Sequence, residues 1–400
     1  MTKIFHIFAN AALGEGLSGG DRIFIEFAKR LSKHNQVIIH VWEEGYRICK
    51  REGLSETRSL KFEVMDINFW CKFGFVICYF ARIIEAILNA FSKTIENEHT
   101  TIVYSASEFW MDSLPAIILK LRFPKVNWVA SWYQTAPNPI QGFSEGSRQK
   151  LYRFSAFYHW FMQVPIKPII ENLADFVLVN NDQETKQFPD LNKKGRAIVI
   201  LGAVNIDQIE EWRHKFSKEN FTKKYDGVFQ GRFHPQKGVV ELIDIWKSVT
   251  EKLPDAKMAM IGDGPLMNDV KDRIKELNLK ENIYLFGYVF DGDQKYRIFS
   301  QSKIVVHPAF FDSGGMASAE AMAFGIPCVG FNLESYKSYY PKGMIKVKIG
   351  DLKAFADQIV ELIKNSNKRE ELGKEAQKMI KKNWSWDQRV DQLLTFLNEG

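Results

Sequence analysis

Two short stretches in the second half of this 400-residue chain carry residue types able to hold a diphosphate. The first is Gly231-Arg232-Phe233-His234-Pro235-Gln236-Lys237-Gly238. It follows an apolar run, opens a helical pattern, and sets Arg232 and Lys237 beside a glycine-rich turn. A lysine acts on phosphate as a point charge and an arginine as a planar fork, and a helix N-terminus favours the same anion. The second stretch runs from His307 to Pro327. An apolar run ends, a glycine-containing loop carries Asp312, and a helical pattern begins that holds Glu320. The amides of Gly315, Met316 and Ala317 would point at an anion by helix-terminus geometry. Glu320, one turn into the helix, could accept hydrogen bonds from vicinal hydroxyls, as carboxylates do with a ribose.

The elements that must position these residues read as alternating strands and helices. In the first half the apolar runs are Ile4–Ala9, Val37–Trp42, Phe62–Ile67, Thr101–Ser105, Trp128–Trp132 and Phe176–Asn180. Amphipathic stretches lie between them, among them Asp21–Ser32, Phe109–Leu121 and a long segment from Arg148. Continuous apolar strands separated by helices predict a parallel sheet with right-handed crossovers. The pattern turns polar over Asn205–Lys224 and restarts with Gly227–Gln230, Met258–Gly262, Ile283–Phe286, Ile304–His307 and Pro327–Phe331. The fold expected is α/β: two Rossmann-like, doubly wound domains facing across a cleft. They span residues 1–203 and 204–383, and a helix over 384–400 returns to the first domain.

In this order the motifs resemble glycosyltransferase family 4, retaining enzymes of the GT-B fold. The resemblance rests on Gly231–Gly238, on Ile261-Gly262-Asp263-Gly264-Pro265, on Phe286-Gly287, and on Asp312 paired with Glu320; it covers residues 225–332. Gly19-Gly20 and Trp384-Ser385-Trp386-Asp387 are similar to the family at either end. The resemblance implies that Arg232 and Lys237 hold the donor diphosphate and stabilise it as leaving group, and that Glu320 binds the nucleotide ribose. It puts Asp312 against the transferred sugar and Val289 beside the nucleobase. It has Gly315 and Met316 offer amides to sugar or phosphate, and Gly19 and Gly20 close on the diphosphate from the first domain. It implies a hexose-type sugar, a nucleoside-diphosphate sugar as donor, and retention of configuration with no metal and no cofactor. Two features depart from the family. Asp312 stands where a glutamate is usual, and no histidine follows Trp128–Trp132, where Tyr133 and Gln134 stand instead.

Two other readings remain at this level. Gly14-Glu15-Gly16-Leu17-Ser18-Gly19 fits the GxGxxG of a Rossmann oxidoreductase, with Glu43 and Glu44 ending the second strand, although the first glycine follows the strand by several residues. A noncatalytic partner subunit of the same fold is compatible with the two departures.

Composition narrows the partners. Hydrophobic residues make up 46% of the chain and charged residues 26%, as in a globular protein. A net charge of +6, without a nucleic-acid-binding motif, does not argue for nucleic acid. The segment from Ser147 to Ile170 carries Arg148, Lys150, Arg153 and Lys167 with no acid, interleaved with aromatic residues. It suits either an anionic membrane surface or a core-packing helix whose charges are solvated, and the acceptor is expected to be a glycan or lipid-linked glycan. The protein is expected to be cytoplasmic, and on the membrane reading peripheral on the cytoplasmic face. Lys72, Arg82 and Glu85 argue against a spanning helix in the apolar stretch Phe69–Phe91. Lys3–Ala11 reads as a buried strand, because His6 and Asn10 interrupt a signal-like pattern. The four cysteines, Cys49, Cys71, Cys78 and Cys328, read as buried thiols of a reducing compartment, not as a disulfide framework or zinc site.

Overall fold

A computed structural model describes residues 2–13, 17–140, 142 and 153–399. It divides into two compact units, one of Met1–Ala136, Tyr158–Gly202 and Trp386–Gly400, the other of Pro137–Phe157 and Ala203–Ser385. The first unit is built on strands β1 (Ile4–Phe8), β2 (Gln36–Trp42), β3 (Leu60–Met65), β4 (Thr101–Ser105), β5 (Asn127–Trp132), β6 (Phe176–Val179) and β7 (Ala197–Val199). They pair in parallel in the order β3-β2-β1-β4-β5-β6-β7. The second unit repeats the plan with β8 (Tyr225–Gln230), β9 (Met258–Ile261), β10 (Ile283–Leu285), β11 (Ser302–His307), β12 (Cys328–Phe331) and β13 (Met344–Val347), in the order β10-β9-β8-β11-β12-β13. Both sheets are therefore doubly wound and Rossmann-like. In each, the strand order reverses beside the domain's first strand, and such reversals leave a crevice at the carboxyl ends of the strands.

The core of the second unit explains why its first loop is so well placed. The helix Val239–Lys252 buries Val239, Leu242, Ile243, Ile245, Trp246 and Val249 against the sheet. Full burial of such side chains contributes about 1.5–3 kcal/mol each. Trp246 lies directly over β8, where a Cβ on Gly227 would come within 2.8 Å of the indole. The helix start at Val239, just after Lys237, is thus anchored to β8.

Several expectations need correction. Glu43 and Glu44 do not end β2; they open the helix Glu43–Arg51. The long segment from Arg148 is two helices, Arg153–Gln163 and Ile166–Leu173, because Pro165 cannot donate inside a helix. Arg148 and Lys150 lie outside the described residues, as do Gly14, Glu15 and Gly16. Strands β7 and β13, of three and four residues, have too few apolar positions to show a period. Cys71 and Cys78 are not free thiols but a disulfide, their Cα atoms 4.2 Å apart. The turn at Gly74 between the helices Asn68–Cys71 and Phe75–Ser92 brings them together. Cys49 and Cys328 are buried free thiols, and burial pushes the Cys49 pKa up to about 12.

Candidate active site

In the second unit the loops leaving β8 and β11 stand on either side of the strand-order reversal, since β8 and β11 are neighbours in the sheet. The first loop carries Arg232 and Lys237, the second Asp312 and Gly315. Arg232 is exposed at the carboxyl end of β8. Lys237 closes a short turn, Pro235–Lys237, and Gly238 follows in the left-handed conformation with φ +61°. The two loops lock together: Phe310 N donates to Gln236 O at 2.9 Å.

Lys237 Nζ donates to Asp312 Oδ2 at 2.5 Å, so two residues 75 positions apart form one ion pair. Asp312 has further partners. His307 Nε2 lies 3.0 Å and Tyr336 OH 3.1 Å from Oδ2, while the amides of Gly314 and Gly315 donate to Oδ1. Burial would raise the Asp312 pKa, but the Lys237 charge and the hydrogen bonds from His307 and Lys237 outweigh it and hold the carboxyl well below its usual range. In this arrangement Asp312 turns its carboxylate toward residues of its own domain. Both oxygens already brace Lys237 and the Gly314–Gly315 turn, and the side chain is 7% exposed. Aspartate, one methylene shorter than glutamate, fits this inward role.

The Gly315 amide is likewise directed at Asp312 and not outward. Gly315 instead caps the helix Met316–Met322 with φ +63°. Met316 and Ala317 stand in its first turn, where amides have no acceptor within the helix. Below the turn, Tyr340 OH donates to Gly315 O at 2.6 Å, and a Cβ on Gly314 would collide with Tyr339 at 2.5 Å. The tyrosine cluster at Tyr336–Tyr340 thus sets the loop's height. Nothing in the spacing of these tyrosines marks them as part of a site.

Glu320 is buried, and its Oε2 receives Lys295 Nζ at 2.6 Å and Gln230 Nε2 at 2.9 Å. Lys295 is 1% exposed and also pairs with Asp291. A buried lysine on the helix Asp293–Ser300 had no signal in the sequence beyond its charge on an amphipathic pattern. It fixes the carboxylate assigned to the ribose. Glu320→Gln and Lys295→Met are each expected to raise the dissociation constant for the bare nucleoside diphosphate, by about tenfold or more, because each loses a charged hydrogen bond of about 1.5–3 kcal/mol. Calorimetric titration of folded variants checks this; unchanged affinity in both would make Glu320 a purely structural residue.

Electrostatics supports an anion site. The His234 pKa is lowered to about 4, first by burial and then by Arg232 and Lys237. The histidine thus registers the positive potential of the two cations. Val289 is buried, and its neighbours Tyr288 and Phe290 meet edge to face with ring centroids 4.9 Å apart. Those two rings, half exposed, were not singled out from the sequence.

Residues 210–379 match the family described as glycosyl transferases group 1. The matched stretch lies wholly in the second unit and carries every motif just described except those of the first domain. An uncharacterized glycosyltransferase of Methanocaldococcus jannaschii is 26% identical over 54% of this chain and 51% of its own length. A phosphatidyl-myo-inositol mannosyltransferase of Mycobacterium leprae is 25% identical over 67% of this chain and 70% of its own. The chain spans about half the length of the first curated relatives it matches. The crystal structure of Anabaena HepE in complex with UDP and glucose superposes with a TM-score of 0.71 at 13% identity, over 100% of each chain. The fold is therefore GT-B, a pair of Rossmann-like domains of glycosyltransferase type.

In the first unit, Gly19 and Gly20 do not end a loop. They form the first turn of the helix Gly19–Leu31, which Ser18 and Asp21 cap reciprocally. Gly20 lies against the Tyr133 ring, where a Cβ would sit at 3.5 Å. Tyr133, at the place of the usual histidine, is no base: its hydroxyl bonds Tyr104 OH at 2.6 Å and Ser131 Oγ at 3.0 Å, and burial raises its pKa well above the ordinary value.

Proposed function

We propose that the protein is a retaining, metal-independent glycosyltransferase. It moves a hexose-type sugar from a nucleoside-diphosphate sugar to a hydroxyl of a glycan or lipid-linked glycan. The observation that supports this reading is the Lys237–Asp312 ion pair, which joins the loops leaving the neighbouring strands β8 and β11 inside the stretch that matches the group 1 glycosyl transferases. As the bond from sugar to diphosphate breaks, negative charge grows on the leaving oxygen. Arg232 and Lys237 meet that charge directly, and stabilisation of this kind is strongest where water is excluded. Glu320, steadied by Lys295, orients the nucleotide through its ribose. The departing phosphate oxygen takes the acceptor proton, so no side chain need be a strong base, which agrees with the engagement of Tyr133.

The family match favours transfer over the oxidoreductase reading of Gly14–Gly19. The acid-free run Arg148–Lys167 supports a peripheral, electrostatic contact with an anionic membrane, and a lipid-linked acceptor with it. No cofactor enters this reading, and the site works in the cytoplasm. Donor turnover should survive EDTA, because side-chain cations already counter the diphosphate. A purified sample assayed for UDP release from UDP-sugars, with and without chelator, tests both points. Loss of turnover restored by Mg²⁺ or Mn²⁺ would remove the metal-independent mechanism. Absence of release from any UDP-, GDP- or ADP-sugar would favour the noncatalytic subunit.

A further inference from the structure

The first domain carries an apolar surface that its own core does not use. The helix Phe75–Ser92 buries Cys78, Tyr79, Arg82, Ile83, Ala86 and Ala90. Its opposite side exposes Ile77, Phe80, Ile84, Leu88 and Phe91, each by 43–57%. Their spacing of three and four residues places them in one stripe. At 1.5 Å per residue the stripe is roughly 20 Å long. Every exposed position on this helix is uncharged. At its N-terminal end Phe69, Trp70, Phe73 and Phe75 are exposed by 51–60%, and Lys72 stands exposed among them. The disulfide between Cys71 and Cys78 ties this aromatic end to the helix.

The helix is apolar and long enough to cross a bilayer, but its other side is committed to the domain. Arg82 is 2% exposed, donates to Asn10 O at 3.3 Å and lies over the Trp42 ring. One face is committed to the domain and the other is apolar, which is the division of a helix lying in the membrane plane. Aromatic rings around a lysine at one end match the chemistry of the headgroup boundary. Continuous apolar surface of this extent is unusual on a monomer and marks an interaction site.

We propose that the stripe Ile77–Phe91, with the Phe69–Phe75 aromatic end, seats in the acyl boundary of an anionic bilayer, the helix parallel to its surface. This deepens the membrane-proximal reading above and does not depend on the donor-site residues. The hold is then mainly apolar, with the exposed Lys72 at the aromatic end as an auxiliary attraction.

The test is flotation with phosphatidylcholine vesicles containing phosphatidylglycerol, at low and high salt, alongside UDP binding and sedimentation. Wild-type protein should float, and a substantial fraction should remain bound at high salt. Ile84→Glu with Leu88→Glu should lower the floated fraction at least about tenfold, while UDP affinity stays as in wild type. The milder pair Ile84→Ser with Leu88→Ser should fall between. If the wild type floats but the Glu pair floats equally, or only the Arg148, Lys150 and Arg153 to Glu variant is released, the contact is electrostatic and the insertion is wrong. If the wild type does not float, the membrane reading fails with it. If the stripe variants instead break a dimer, the face binds a second copy, which also overturns the proposal.

Discussion

Lys237→Ala is expected to lower the transfer rate by at least about tenfold, a barrier increase of about 1.4 kcal/mol or more. It should also destabilise the second domain by about 3–5 kcal/mol, the cost of leaving a buried charge unpaired. The carboxylate that loses its cation is Asp312, 7% exposed, which keeps only the hydrogen bonds from His307, Tyr336 and the Gly314 and Gly315 amides. Arg232→Ala should cost a similar factor in rate but little stability, because Arg232 is exposed. Urea unfolding beside the kinetics of nucleoside-diphosphate release separates the two effects. The pH dependence has a definite sign. The folded Asp312 carboxyl is held below its unfolded value of about 4, so the pair stabilises the domain above that pH and loses its contribution as pH falls below it. Near-wild-type turnover in both variants would remove the donor-diphosphate assignment.

Gly238→Ala should be nearly as damaging, for a reason unrelated to charge. The residue has φ +61°, and a Cβ there would stand 2.2 Å from the Pro308 carbonyl oxygen and 3.1 Å from the Phe310 ring. The left-handed backbone costs about 1–2 kcal/mol for a non-glycine residue. Overpacking adds about 1–3 kcal/mol. Because Pro308 begins the loop that carries Asp312, relief of the clash would push the two halves of the site apart. We expect the melting temperature to fall by about 4 °C or more and turnover to drop at least about tenfold. Gly53→Ala is the control. It has φ +85° but nothing within 4 Å of the added carbon, so it should show the backbone cost alone and leave turnover intact. Equal effects at Gly53 and Gly238 would mean that contact with Pro308 is unimportant.

The doubly wound fold was legible because parallel strands buried on both faces are continuous apolar runs; Thr101–Ser105 shows the same bounds in sequence and structure. Short strands escaped for the converse reason. Met344–Val347 contains Lys346 and follows Gly343, so no run stands out. In the site, Arg232, Lys237 and Glu320 could be singled out because charge beside glycine at a strand end is unusual. Their partners could not. Lys295, His307 and Tyr336 reach the site through the fold, from 25 and 5 residues before and 24 residues beyond the carboxylates they bind. The disulfide was missed because the seven-residue separation of Cys71 and Cys78 matches no spacing motif, and only the Gly74 turn closes it.

The helix Trp386–Glu399 has a bearing on how the chain is made. It belongs to the first unit: Trp386 packs edge-on against Phe27, Asp387 pairs with Arg30, and Arg389 donates to the Leu201 carbonyl. The chain enters and leaves the second unit beside itself, where Val204 N donates to Trp384 O. During synthesis the first unit therefore emerges early but lacks this helix until the whole second unit has left the ribosome. Domains otherwise tend to fold as they emerge, amino-terminal first. Phe27 and Arg30 stay uncovered throughout that interval, so chaperone demand should fall on the first unit, and premature termination before Trp386 should harm the domain made first.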